Sequence, residues 1–301
     1  MRTRERLGLV LAVASAIVVL SSILSGAHQQ GLAVAGAYVV AILGLDLVVG
    51  AAGRFSFGQG AFMALGGYTT AILCGRHGVG GVATVPIAGI VGGGVALAVG
   101  APSLRGRGQA LAVLTFGAAI VVPPLALRFP GLTGDGARIT VPGPGHGYAL
   151  SWTVAGVLFL AAWASSRSLF VLGLRAARDN ETGAASAGVS RNGGRLVAFG
   201  VAGAYAGVAG SLLVLDLGRV DPGLFPLRLS LLLLAAAVLS RSSIWLAVPA
   251  ALLVKYAGDL AGLLPHSSPS RPGPASFVAG VLLVAVALGR ALASAVAHRR
   301  N

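Results

Sequence analysis

Cysteine is almost missing from this sequence. Cys74 stands alone among 301 residues, so a disulfide within the chain is impossible. A single thiol near the end of an apolar run reads as a small buried apolar residue. Charge is scarce as well, at 10% of residues against about 25% in soluble domains. Acid is scarcer than base: 8 Asp+Glu face 22 Lys+Arg. No Gly-x-x-x-x-Gly-Lys-Ser/Thr loop occurs, which excludes ATP hydrolysis by that route. His-Glu-x-x-His and Gly-x-Ser-x-Gly are absent too, and the 5 histidines are scattered over loops and ends. A membrane-embedded enzyme needs clustered His, Asp or Glu at one membrane face, and this chain has no such cluster.

What is abundant is apolar. Residues of the hydrophobic class make up 56% of the chain, and the mean hydropathy is +0.87. They fall in runs near the roughly 20 residues needed to cross a bilayer. In hydrocarbon every backbone N–H and C=O needs a partner within the protein, so such runs are helices. The alternation of a membrane β-barrel is lacking. The net charge of +14 can signal nucleic acid. Here the cations stand between apolar runs, which is the positive-inside pattern of a membrane protein. No nucleic-acid partner is expected; membrane lipid is.

Ten spans give a self-consistent topology: 7–25, 32–52, 58–75, 83–101, 109–127, 149–165, 196–217, 229–239, 243–262 and 274–294. The run from Leu7 to Leu24 is too long for the core of a secretory signal, and further spans follow, so it reads as an uncleaved first helix. With the N-terminus in the cytoplasm, that side receives Arg105, Arg107, Arg167, Arg175, Arg178, Arg191, Arg195, Arg299 and Arg300. The other side receives fewer: Arg76, Arg128, Arg138, Arg219, Arg228 and Arg271. The bias places both termini and the loop 166–195 in the cytoplasm. Residues 229–262 read either as one tilted span or as two pieces broken at Ser240-Arg241-Ser242-Ser243. The second alternative keeps the C-terminal arginines inside and makes 229–239 a short or re-entrant segment. The expected fold is an all-α polytopic bundle of about 8–10 transmembrane helices, with 1–301 as a single unit. Glycine pairs at small-xxx-small spacing, such as Gly203–Gly207 and Gly89–Gly93, are a helix-packing signal.

Two segments carry chemistry. In the loop 166–195, Asp179 and Asn180 are helix-start residues, and Glu181 lies in the first turn, where its charge suits the helix dipole. Ala184, Ala185, Ser186 and Ala187 continue a small-residue helix that Gly188 stops. Such a helix at the membrane face is a lever for a soluble partner, or else the loop is a basic spacer that fixes topology. The second segment, Leu43 to Leu73, has Gly53, Gly58, Gly60, Gly66 and Gly67 interrupting two spans, with Arg54, Ser56 and Gln59 at the break. Interrupted helices line substrate paths; a tight hairpin needs glycine as well. Charges inside spans face the protein interior. Lys255 and Asp259 are one turn apart and can pair. Arg290 can snorkel to the interface, and Asp216 and Asp221 read as interfacial. Around Asp46, positions 42, 43, 49 and 50 are Ile, Leu, Val and Gly, so no cation lies one turn away.

The stretch LGLDLVVGAAGRFSFGQGAFMALGGYTTAIL resembles the signature of M-type permeases of branched-chain amino acid ABC importers, with Ser56, Gly58, Ala61, Phe62, Gly67 and Tyr68 at matching places. LAVLTFGAAI from Leu111, then Leu132-Thr-Gly134 and Val141-Pro142, resemble that family's central helix and following loop. LRAARDNETGAASAGVSRNGGRLVAFGVAGAYAGVAGSLL resembles its cytoplasmic coupling loop and next span. The likeness covers about residues 35–230. Asp46 stands where the family usually has Asn, and Gln59 where it often has His. Ala235 to Ser243 lacks the family's glycine-rich turn.

The resemblance implies a multi-pass permease of the bacterial inner membrane. It would form half of a pathway for branched-chain or related amino acids, with a second, H-type permease as the other half. Two cytoplasmic ATPases would use ATP, and this chain would bind no cofactor and no metal. An extracytoplasmic binding protein would deliver the cargo, and the mechanism would be alternating access. Asp46, Ser56, Gly58, Gln59, Phe62 and Tyr68 become candidates for the substrate path. Arg178, Asp179, Asn180, Glu181, Ala184, Ala185 and Gly188 become candidates for ATPase coupling. Urea, short amides or other small organic solutes remain alternative cargoes. An ion-coupled secondary transporter remains an alternative mechanism, for which Asp46, Lys255 and Asp259 are the candidate ion sites.

Overall fold

A computed structural model describes residues 26–105, 110–133, 138–141, 147–188, 191–240 and 244–262. The expected spans 7–25 and 274–294, the C-terminal arginines, Arg290 and the Arg241-Ser242-Ser243 break lie outside the described residues. So does the side chain of Asp259.

The architecture is a helical bundle. Its principal helices are α1 (Gly26–Asp46), α2 (Gln59–His77), α3 (Gly81–Arg105), α4 (Ala110–Leu125), α5 (Gly147–Ser165), α6 (Leu169–Asp179), α7 (Glu181–Ser186), α8 (Arg191–Leu217), α9 (Leu227–Ser240) and α10 (Ala247–Gly262). Among the described residues, five helical stretches are long and apolar enough to cross a membrane. They are Gln29–Ala51, Gly81–Pro102, Ala110–Arg128, Asn192–Leu217 and Pro222–Ser240. A sixth candidate is the pair Ala149–Ser165 and Leu169–Asp179, bent by 67°. The segment expected at 229–239 is longer than its apolar run: with the turn Pro222–Leu224 it reaches 19 residues.

α8 is the axis, packed along α1, α2 and α3. Small residues allow this. A Cβ at Gly207 would run into the carbonyl of Ala88 on α3, and one at Gly66 on α2 would run into the backbone of Gly207. Gly210 lies equally close to the backbone of Met63, and Gly203 to Ala96. In lipid, helices gain little from a hydrophobic drive, so close van der Waals contact and buried polar pairs hold them together. The polar pairs are present: Thr70 Oγ1 donates to Ser211 Oγ at 2.7 Å between α2 and α8, and the Trp152 indole donates to the Leu32 carbonyl at 3.0 Å between α5 and α1. α3 and α4 sit outside, with Ile90, Val113, Ile120 and Val121 exposed, as suits lipid-facing side chains.

At one end of the bundle, β1 (Ile139–Thr140) and β2 (Arg219–Val220) pair antiparallel just beyond the C-terminus of α8. The α6–α7 segment lies at the other end, beside the N-terminal half of α8. There Val171 and Leu174 pack with Ala51, Ala52 and Ala198 in a small separate apolar cluster.

Candidate functional site

The site is a break between two helices and the segment that grips it. α1 does not run on as an α-helix past Asp46. Leu47–Ala51 form a π-turn, a rare element that recurs at functional positions. Gly53 follows with φ +66°, a left-handed conformation that is costly for any residue with a Cβ. Residues 53–58 lack regular structure before α2 starts at Gln59.

Side chains from neighbouring helices satisfy much of the freed backbone. The Phe57 N–H donates to Thr115 Oγ1 of α4 at 3.0 Å, and the Gly60 N–H donates to Ser230 Oγ of α9 at 2.9 Å. The Gln59 amide reaches back to the Ala41 carbonyl on α1 at 2.7 Å and is buried there. These bonds hold α1 and α2 in register inside an apolar bundle, where an unmet backbone group costs several kcal/mol.

The expected path residues fall into two groups. Asp46, half-buried at the end of α1, lines a cavity of about 480 Å³ together with Gly50, Trp163, Tyr205 and Trp245. Ser56, Gly58, Gln59, Phe62 and Tyr68 do not line it. Ser56, Gln59, Phe62 and Tyr68 are buried among helices. Phe62 meets Phe199 of α8 edge to face at 5.6 Å, and Gly58 leaves room for Phe62 and Thr115.

The loop 166–195 contains two helices rather than one. Ser168 caps α6, accepting from the Val171 N–H at 3.3 Å. Asn180 ends α6 and starts α7; its Oδ1 accepts from the Gly183 N–H at 3.0 Å and from the Thr182 hydroxyl at 2.9 Å. Asp179, the alternative start, closes α6 and accepts from Arg178 Nε at 2.8 Å. Gly188 takes φ +78° after α7, as a helix stop requires. Ala184 is buried while Ala185 is exposed.

The two charged candidates of this segment are engaged with the bundle itself. Arg178 reaches from α6 into the break, where its guanidinium donates to the Gly50 carbonyl. Its methylenes occupy the space that a Cβ at Gly53 would need. Glu181 pairs at 3.0 Å with Arg195, which is only 7% exposed at the start of α8. Neither contact was legible in the sequence: Arg178 lies 128 residues from Gly50, and Arg195 carries no spacing signal toward Glu181. Arg167 and Arg175, read only as topology signals, also line the cavity.

Comparison with known proteins fits this arrangement. Residues 28–287 match the family described as "Branched-chain amino acid transport system / permease component". The chain belongs to this family. It is thus a membrane permease component of a transport system, not an enzyme. It is 31% identical to the high-affinity branched-chain amino acid transport system permease protein LivM of Escherichia coli, over 74% of this chain and 61% of that protein. It is also 31% identical to the protein of that name from Salmonella typhimurium, over 67% of this chain and 56% of the relative. The chain thus spans about three fifths of the length of these relatives. No solved structure matches it.

Proposed function

We propose that this permease is one transmembrane half of an ATP-driven importer for branched-chain or related amino acids. The observation that carries the reading is the grip of α6 on the helix break: Arg178 on the Gly50 carbonyl, with Val171 and Leu174 against Ala51 and Ala52. A push on α6–α7 therefore arrives at the π-turn and at Asp46, inside the bundle. That is the linkage a permease needs if energy from outside is to reorient its helices.

The energy would come from two cytoplasmic ATPases, since this chain has no phosphate-binding loop of its own. An H-type permease would complete the pathway, and an extracytoplasmic binding protein would deliver cargo. The arginine distribution supports a cytoplasmic location for 166–195 and both termini, in a bacterial inner membrane. The names of the relatives support the cargo class.

The exposed side of α7, with Ala185 and Gly188, would enter a cleft on an ATPase, and small side chains allow that close entry. Ala185→Trp and Gly188→Leu should leave membrane insertion intact and lower ATPase copurification about ten-fold, or about 1.4 kcal/mol. Undiminished copurification with both variants at normal expression would reduce the segment to a topological spacer.

A further inference from the structure

We propose that the cavity between α1, α5, α6 and α8 binds the phosphate group of an anionic membrane lipid. Three guanidinium groups line it: Arg167 and Arg175, both exposed, and the half-buried Arg178. The carboxylate of Asp46 is the acidic member of the lining, and Asp179 pairs with Arg178 at 2.8 Å, so three cations stand against two anions and Arg167 and Arg175 carry the excess. That balance disfavours a cationic guest and favours an anion. The planar fork of arginine matches phosphate oxygens in pairs. Ser165 and Ser166 stand at the same wall, but their hydroxyls donate to the Ala161 and Trp163 carbonyls at 2.7 Å each, so the arginines are the donors left for the anion.

The surroundings argue for a lipid as the source of that phosphate. Trp163 and Trp245 border the cavity, and tryptophan marks the headgroup level of a bilayer. Arg167 lies over the Trp163 ring at 5.6 Å, an aromatic–cation arrangement that suits that depth. α6 turns 67° away from the direction of α5. Leu169, 88% exposed, and Leu172 stand on the side of α6 away from the bundle. A helix with such an apolar side and arginines along one edge lies in the membrane interface, its leucines among acyl chains and its cations at phosphate depth. The cavity and the apolar side of α6 are then two parts of one lipid site: headgroup between arginines, chains beside leucines. A guest there would touch both α6 and the π-turn. This inference stands independently of the cargo and of the ATPase partners.

Tryptophan fluorescence tests it on the full chain in phosphatidylcholine vesicles that carry increasing brominated phosphatidylglycerol. Two of the 3 tryptophans border the cavity, while Trp152 is bonded to Leu32 elsewhere. Quenching by brominated phosphatidylglycerol should saturate at a low mole fraction, and brominated phosphatidylcholine should not reproduce it. In Arg167→Gln/Arg175→Gln the apparent affinity should fall about 25-fold, from about five-fold per cation. Equal quenching of the wild type by both lipids overturns the proposal, and needs no variant to fold. So does an unchanged preference in a variant with an unaltered unfolding temperature. If millimolar inorganic phosphate reverses the quenching, the site takes a soluble phosphate compound and the lipid assignment fails.

Discussion

Where α8 meets α2 and α3, backbone touches backbone; where α6 meets the break after α1, a side chain reaches a backbone carbonyl. The first region is built from Gly66, Gly203, Gly207 and Gly210, which leave no volume to rearrange. The second is built from a π-turn, a left-handed glycine and one arginine. Closely packed interiors resist continuous deformation, whereas a π-turn held by a few polar contacts can exchange partners. The permease thus separates a fixed axis from an adjustable end, and the adjustable end is where the α6–α7 segment attaches.

The sharpest way to break this contrast is to put volume into the axis. Gly207→Leu would drive a side chain into the Ala88 carbonyl and against Gly89. Overpacking of this kind costs about 3 kcal/mol or more, so the variant should fail to elute as a monodisperse species after extraction. Gly94→Leu and Gly117→Leu are the matched controls, since a Cβ at either glycine meets nothing within 4 Å. If Gly207→Leu elutes like these controls, α8 is not the fixed element.

At the break the same kind of change should act locally. Gly53→Ala forces a Cβ onto φ +66° and into the methylenes of Arg178. The conformation alone costs about 1–2 kcal/mol. The bundle should still assemble, while amide exchange over 47–52 rises and that of α8 does not. Arg178→Ala removes the arginine without straining Gly53 and should raise exchange over the same residues. Protection of 47–52 that survives both changes would mean that α6 does not hold the π-turn.

Much of this division can be read from sequence, and the reasons differ by element. Span positions follow from hydropathy, which needs no partner: 83–101 and 196–217 lie inside α3 and α8, and 110–127 of the expected 109–127 lie inside the Ala110–Arg128 stretch, residue 109 being outside the described residues. The spacing of Gly203–Gly207 and Gly89–Gly93 indicates packing faces, and α8 and α3 meet there. α7 is legible from capping chemistry, because Asn180 and Gly188 act on their own neighbours. α6 is not, since Leu169 to Asp179 sits in a stretch whose arginines already serve as a topology signal. Its start signal, Ser168, is weak without the tertiary cluster that α6 joins. The candidate path residues carry another lesson. Polarity and glycine marked the break correctly, but only Asp46 of that set reaches the cavity, because Gln59 is turned to Ala41 and Phe62 to Phe199.

The smallest expected effect lies at Asn180, where one side chain serves two helices. Asn180 Oδ1 receives both the Gly183 N–H and the Thr182 hydroxyl. Asn180→Ala removes that acceptor and should cost about 1 kcal/mol at the start of α7. α7 has only 6 residues, so little internal hydrogen bonding makes up the loss. The Glu181–Arg195 pair remains, but a partly exposed ion pair contributes only about 0–1 kcal/mol. Exchange of the Gly183 and Ala184 amides should therefore quicken about five-fold, the factor that matches 1 kcal/mol. Amides within α6 that lie before the Asn180 cap should keep their rates, because Ser168 and the contacts of Val171 and Leu174 hold that helix independently. Asn180→Asp keeps an acceptor and should behave like the wild type. If α6 loosens together with α7, the two helices are one mechanical unit, and the adjustable end extends from the π-turn to Gly188. If only α7 loosens, α6 is a rigid lever on the π-turn and α7 is its separately capped tip.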